Sequence, residues 1–158
     1  MEIDDRSGFE LPEGGFAESL AELMSEVLAA EGVGDEASAG LHLVSADEIT
    51  GLNESHMDAN GATDVLSFAV DGADDSAPDG QPTLVGDVVL SPQVAAEQAY
   101  AHAGTLADEC RLLVVHGSLH LVGWDHADEE SRLAMWNRER QLLDDLDMSP
   151  PLDPWTTS

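Results

Sequence analysis

The 158-residue chain carries 33 acidic side chains against five basic ones, and its formal net charge is −28. This composition lacks the basic patch of an ordinary nucleic-acid-binding domain, in which Lys and Arg neutralise phosphates. One cysteine excludes a disulfide framework, and no apolar run approaches the ~20 residues that a membrane-spanning helix needs.

In the first half of the chain, the pattern of apolar residues predicts alternating helices and strands. Residues 1–8 are short and acidic and are compatible with an edge strand. Apolar residues at helical spacing predict an amphipathic helix over 17–31, and a strand follows at 40–45. Ser45 and Glu48 form a capping-box signature, which predicts a short helix over 46–53.

The middle of the chain predicts two strands, at 63–70 and 84–90, on either side of an acidic loop at 71–82. Ser91 followed by Pro92 is typical of a helix start, and the helix is expected to end at Gly104. Thr105 is a suitable cap for the next helix.

The last predicted helix covers residues 128–147. It has Leu133 on its apolar face and is expected to pack on the sheet. The predicted fold class is therefore α/β (α+β), with one small, mixed four-stranded sheet flanked by helices. We expect residues 1–148 to form a single metallo-hydrolase domain and residues 149–158, with three prolines, to form a flexible C-terminal tail.

Three of the six histidines, His116, His120 and His126, fall within eleven residues. Residues four apart lie on the same face of a helix, so His116 and His120 can hold one ion. Gly123 is suited to a left-handed turn that would bring His126 to the same point. Three imidazoles leave a zinc ion an open position, as catalytic sites do, although this donor set also suits nickel, copper and iron. The alternative is two buried histidines and one surface histidine without metal.

The spacing HxxxHxxGxxH is also that of the metzincin zinc site, which gives the site a zincin-like character. Those peptidases carry a glutamate directly after the first histidine, as the general base. Here that position is Gly117, which argues against a peptidase.

Three separated motifs carry a family resemblance: TDVLSF at 63–68, GDVVLS at 86–91 and HGSLHLVGWDH at 116–126. Together they resemble the YbeY family of bacterial endoribonucleases over roughly residues 40–146. The resemblance implies a zinc-dependent hydrolase of single-stranded RNA. Its expected roles are maturation of ribosomal RNA, at the 3′ end of the small-subunit RNA, and ribosome quality control.

The same resemblance implies one α/β domain with a groove beside the metal, one zinc ion per chain held by the three histidines, and the small ribosomal subunit as a partner. Met57 stands where many family members have an arginine, so the role assigned to that arginine does not carry over to this chain. Asp125 and Asp64 are candidates for proton handling or ligand orientation. Thr63 and Ser67 share one side of their strand and are candidates for contact with RNA.

Two other functions stay open. One is a zinc hydrolase of another bond, such as a peptidase. The other is a ribosome-assembly factor with structural zinc and little nuclease activity, whose acidic surface binds a basic ribosomal protein.

The acidity itself has two explanations, which are a high-salt host and a basic partner. The acidic side chains are spread along the whole chain, which favours the high-salt host. At 1 M salt the Debye length is only ~3 Å, so repulsion between these side chains is screened. The N-terminus Met1–Asp5 lacks the basic and apolar regions of a signal peptide, which predicts a soluble, cytoplasmic protein without a membrane partner.

Overall fold

A computed structural model of the chain describes residues 2–33, 38–56, 63–69 and 84–155. The strands are β1 Glu2–Asp5, β2 Ser38–Leu43, β3 Val65–Ala69 and β4 Leu84–Leu90. The helices are α1 Phe16–Ala30, α2 Ala46–His56, α3 Pro92–Ala99, α4 Leu106–Leu121 and α5 Glu129–Asp145.

The four strands form one mixed sheet in the order β1-β2-β4-β3. Strands β1, β2 and β4 are parallel, and β3 pairs with β4 in the antiparallel sense. The predicted fold class and the predicted edge strand at the N-terminus are therefore confirmed. Within the described ranges, no helix is both long and apolar enough to cross a membrane.

Three predicted helix starts are confirmed by their capping hydrogen bonds. Ser45 Oγ accepts from the amide of Glu48 at 3.1 Å, and Thr105 Oγ1 accepts from the amide of Asp108 at 3.0 Å. Ser91 caps α3 in the same way, with proline at the first helical position. These local signals set the first residue of each helix because a side-chain oxygen satisfies an amide that has no partner inside the helix.

Helix α4 is the central element of the domain. It contacts α1, α3 and α5 as well as strands β3 and β4. Gly117 lies where α4 meets the sheet: a Cβ atom built there would lie only 2.9 Å from Val88 Cγ1. Ser67 Oγ donates a hydrogen bond of 2.9 Å to the carbonyl of Gly117 across the same contact. The close approach of helix and strand therefore depends on the absence of a side chain at residue 117.

The predicted end of α3 is wrong, because the helix ends at Ala99 and not at Gly104. In a continued helix the amide of Ala103 would donate to the carbonyl of Ala99. Instead the amide of Ala103 donates to Oε1 of Glu109 at 3.1 Å, and the amide of Gly104 donates to the carbonyl of Ala99 at 2.7 Å. The carboxylate of Glu109 is fully buried, so these hydrogen bonds decide the local backbone conformation.

The predicted packing of the last helix is also wrong. The main partner of α5 is α4, which itself covers strands β3 and β4. Leu133, placed by the sequence on the apolar face, is 45% exposed. The buried positions of α5 are Met135, Glu139, Leu142 and Leu143.

Some predictions fall where the chain is not described, including the loop at 71–82 and the position of Met57. Of the segment 149–158, residues 149–155 are described. The amide of Leu152 donates to the carbonyl of Ala103 at 3.3 Å, Pro154 is buried, and Trp155 packs against the core. This part of the segment therefore lies against the domain.

Candidate metal centre

Two of the three predicted ligands lie on the last turns of α4. His116 and His120 are four residues apart, and their Nε2 atoms lie 3.1 Å from one another. Two nitrogen ligands of a tetrahedral zinc ion with bonds of 2.0–2.1 Å would be separated by roughly 3.3 Å. The spacing of the two imidazoles on the helix is therefore close to that of a shared ion.

The third histidine reaches the same point through a glycine turn. Gly123 has a φ of 104°, as its place in the sequence predicts. Its amide donates to the carbonyl of His120 at 3.2 Å, and the amide of Trp124 donates to the carbonyl of Leu119 at 3.0 Å. This pair of hydrogen bonds is a Schellman motif, which ends the helix and turns the chain back.

The turn brings His126 beside the helical pair. Its ring centroid lies 5.4 Å from that of His116 and 4.9 Å from that of His120. One ligand atom from each histidine lies within 4.8 Å of the other two. The predicted convergence of the three imidazoles is confirmed, and the donor set fits a divalent transition metal such as zinc.

The protonation of the site also suits a metal. Burial, together with the neighbouring His116 and His126, lowers the pKa of His120. A lower pKa keeps the imidazole neutral, which is the form that binds a metal. Cys110 is fully buried and does not belong to the group of converging ligand atoms, and burial raises the pKa of its thiol to about 12.

A buried carboxylate orients His116. Nδ1 of His116 lies 2.6 Å from Oε1 of Glu139, and Glu139 is only 2% exposed. The other carboxylate oxygen of Glu139 accepts a hydrogen bond of 3.1 Å from the indole of Trp155. A carboxylate on Nδ1 fixes the proton there and leaves Nε2 free as a ligand. The sequence patterns did not predict Glu139 as a site residue, although it lies four residues after Met135 on the buried face of α5.

The two predicted catalytic carboxylates lie in different surroundings. Asp64 is half-buried beside the histidines, and its Oδ2 accepts a hydrogen bond of 2.5 Å from the side-chain Nε2 of Gln98. Asp125 is exposed, and its Oδ1 accepts from the backbone amide of His126 at 2.7 Å. Asp64 therefore lines the space beside the histidines, whereas the carboxylate of Asp125 is bonded to the segment that carries His126.

Asp64 is the first member of a polar network that the sequence did not reveal. Gln98 also donates to Oε2 of Glu109 at 2.9 Å. Nδ1 of His102 lies 2.8 Å from the same oxygen. The network joins the residue before β3 to helices α3 and α4, and only the packing of these three elements brings its members together.

A cavity of about 610 Å³ opens beside the three histidines. Part of the lining is strand β3 and the residues just before it, including Thr63 and Ser67, the predicted substrate-contact residues. The hydroxyl of Ser67 donates its hydrogen bond to the carbonyl of Gly117. The lining also includes Trp136, Pro154 and Trp155. The centre thus combines three possible metal ligands with a space large enough for part of a polymer chain.

Comparisons with known proteins agree with this arrangement. The family model described as Endoribonuclease YbeY matches residues 2–147. A protein named Endoribonuclease YbeY from Corynebacterium glutamicum is 38% identical over 92% of this chain and 75% of its own length. One of the same name from Pelotomaculum thermopropionicum is 40% identical over 82% of this chain and 86% of its own length. The solution structure of TM1509 from Thermotoga maritima aligns over 99% of both chains with a TM-score of 0.56 and 25% identity.

Proposed function

The chain belongs to the endoribonuclease YbeY family, and from this premise we propose that it is a zinc-dependent endoribonuclease of single-stranded RNA. Its proposed role is ribosomal RNA maturation in the cytoplasm, at the 3′ end of the small-subunit RNA, together with ribosome quality control. The observation that carries the proposal is the convergence of His116, His120 and His126 beside a cavity of about 610 Å³.

The zinc ion and the residues around it have different roles in the proposed site. One zinc ion per chain, when bound, would supply Lewis acidity toward a phosphate oxygen and make water a usable nucleophile near neutral pH. Glu139 holds the proton at Nδ1 of His116, and the lowered pKa of His120 keeps that ring neutral. Asp64, oriented by Gln98, is the carboxylate that we propose for proton handling at the cavity.

The remaining candidates have supporting roles in this proposal. Thr63 and Ser67 border the cavity and form the strand side of the RNA groove. Asp125 accepts from the amide of His126 and so orients the segment that carries this ligand. Residues 1–148 act as the hydrolase domain, and we place the small ribosomal subunit among its partners.

The packing of Gly117 argues against peptide hydrolysis. A glutamate at this position would be the general base of a metzincin peptidase. A Cβ at residue 117 would lie 2.9 Å from Val88 Cγ1 and 3.2 Å from Ser67 Oγ, so the helix cannot carry that glutamate without moving away from the sheet.

The net charge of −28 supports a second candidate function. A polyanion repels RNA and attracts basic proteins. A ribosome-assembly factor that binds a basic ribosomal protein, with zinc serving only stability, would suit this charge.

One experiment separates the two functions. Zinc-loaded protein would be incubated with an unstructured RNA, and sedimentation with small ribosomal subunits would be measured on the same sample. Cleavage that is lost in His120→Ala supports the nuclease. Co-sedimentation without cleavage of any single-stranded RNA supports the assembly factor.

A further inference from the structure

The five arginines are unequally neutralised. Arg6, Arg111 and Arg138 each have a guanidinium nitrogen within 3.3 Å of a carboxylate oxygen. Arg140 has a looser ion pair, 3.7 Å from Asp153, and both side chains are about half exposed or more. Within the described ranges, Arg132 forms no ion pair, and its buried Nε has no hydrogen-bond partner.

These two least neutralised arginines both lie over tryptophan rings. The guanidinium carbon of Arg132 is 5.2 Å from the centroid of Trp136, and that of Arg140 is 5.0 Å from the centroid of Trp155. Both distances are within the range of a cation–π interaction. In a chain of such strong negative charge, positive charge is thus retained beside two aromatic rings.

Both tryptophans line the cavity that contains the three histidines. The ring of Trp155 is held in place, because its indole donates to the buried carboxylate of Glu139 at 3.1 Å and its backbone amide donates to Asp153 at 3.0 Å. Pro154, which is buried, adds an apolar surface next to it. The ring of Trp155 is therefore held in the wall of the proposed active site, and the ring of Trp136 lines the same cavity beside Arg132.

Aromatic rings combined with cations are the means by which proteins hold single-stranded nucleic acid. Bases stack on the rings whatever their sequence, and cations contact the phosphates between them. We propose that Trp136 and Trp155, with Arg132 and Arg140, form a stacking wall that binds the bases of single-stranded RNA beside the metal centre. This inference rests on the proposed nuclease function.

One ring of the wall lies outside the part of the chain that the family model matches. The family model matches residues 2–147, so Trp155 lies outside the matched region. The segment that carries Trp155 is anchored by the hydrogen bond from Leu152 to Ala103 and by the hydrogen bond from the Trp155 indole to Glu139. The C-terminal segment thereby supplies one of the two rings of the wall.

The test compares the binding of two fluorescein-labelled probes at one KCl concentration. One probe is an oligoadenylate on the order of ten nucleotides long, and the other is an abasic oligomer of the same length. Trp155→Leu and Trp136→Leu remove a ring, whereas Trp155→Phe keeps a ring but removes the hydrogen bond to Glu139. Tyr100→Leu is the control, because Tyr100 is an aromatic residue that is 89% exposed and does not line the cavity.

Each Trp→Leu variant is expected to bind oligoadenylate about 5- to 150-fold more weakly, the range found for loss of one base stack. The abasic probe should be bound equally by all variants. Trp155→Phe should retain most of the affinity, and Tyr100→Leu should match the wild type.

Three results would overturn the proposal, and they have different meanings. If the wild type binds oligoadenylate and both Trp→Leu variants bind it equally well, the stacking wall does not exist but the nuclease function stands. If Trp155→Phe loses as much affinity as Trp155→Leu, the residue acts through Glu139 and not by stacking. If the wild type neither binds nor cleaves RNA, the proposed function itself fails.

Discussion

Replacing Gly117 by alanine should destabilise the protein, although alanine is the better helix former. In an open helix the change would gain about 1 kcal/mol. Here the new Cβ would lie 2.9 Å from Val88 Cγ1, and Val88 is fully buried and stiff about χ1. Overpacking of this kind costs about 1–3 kcal/mol. Loss of the hydrogen bond from Ser67 to the Gly117 carbonyl costs about 1 kcal/mol more, so the net expectation is a loss of about 1–3 kcal/mol.

The matched control is Gly51→Ala. Gly51 is an exposed glycine within α2, and a Cβ there would have no atom within 4 Å. This substitution should stabilise the protein by up to about 1 kcal/mol. Both free energies of unfolding would be measured by urea denaturation followed by circular dichroism, at one KCl concentration. If Gly117→Ala is as stable as Gly51→Ala, α4 is not closely packed on the sheet, and the argument against a peptidase glutamate at residue 117 fails.

Three further predictions concern the turn, the buried carboxylate and the charge. Gly123→Val should lower the free energy of unfolding by ~1–3 kcal/mol and weaken zinc binding, because of backbone strain at φ 104°. The control Gly14→Val, where φ is not positive, should change neither quantity. A Gly123→Val variant with the melting temperature and zinc affinity of the wild type would refute the prediction. Glu139→Gln should weaken zinc binding, measured by calorimetry, about 10- to 100-fold. The control Glu130→Gln, at an exposed glutamate of the same helix, should leave the zinc affinity unchanged. Raising KCl toward about 1 M should increase both the thermal midpoint and single-turnover RNA cleavage. A flat midpoint with steeply falling cleavage would instead favour a basic partner.

The convergence of the three histidines was predictable because its causes are local. The four-residue spacing of His116 and His120 follows from helix geometry, and Gly123 is the residue type that a Schellman turn requires. The same holds for the helix starts at Ser45 and Thr105, where one side chain caps the backbone three residues later. Each of these signals lies within about one turn of the structure that it determines.

The errors arise from contacts between elements, which no spacing pattern shows. Glu109 is only six residues after Ala103, but nothing in its spacing shows that its carboxylate will be buried and will accept a hydrogen bond from the amide of Ala103. Glu139 and Trp155 join the site only when α5 and the C-terminal segment fold against α4. Leu133 was expected to be a core residue from its spacing alone, but it is 45% exposed.

The central claim is that the three histidines hold a metal on which RNA cleavage depends. The direct measurement is metal content by mass spectrometry together with single-turnover cleavage of one unstructured RNA, on the same samples. These would be wild-type protein as purified, stripped by a chelator and reloaded with zinc, beside His116→Ala, His120→Ala and His126→Ala. We expect one ion per wild-type chain, cleavage only in the loaded protein, and loss of most metal and activity in each variant. Cleavage by the stripped protein at the rate of the loaded one, or near-stoichiometric zinc in any of the variants, would contradict the account.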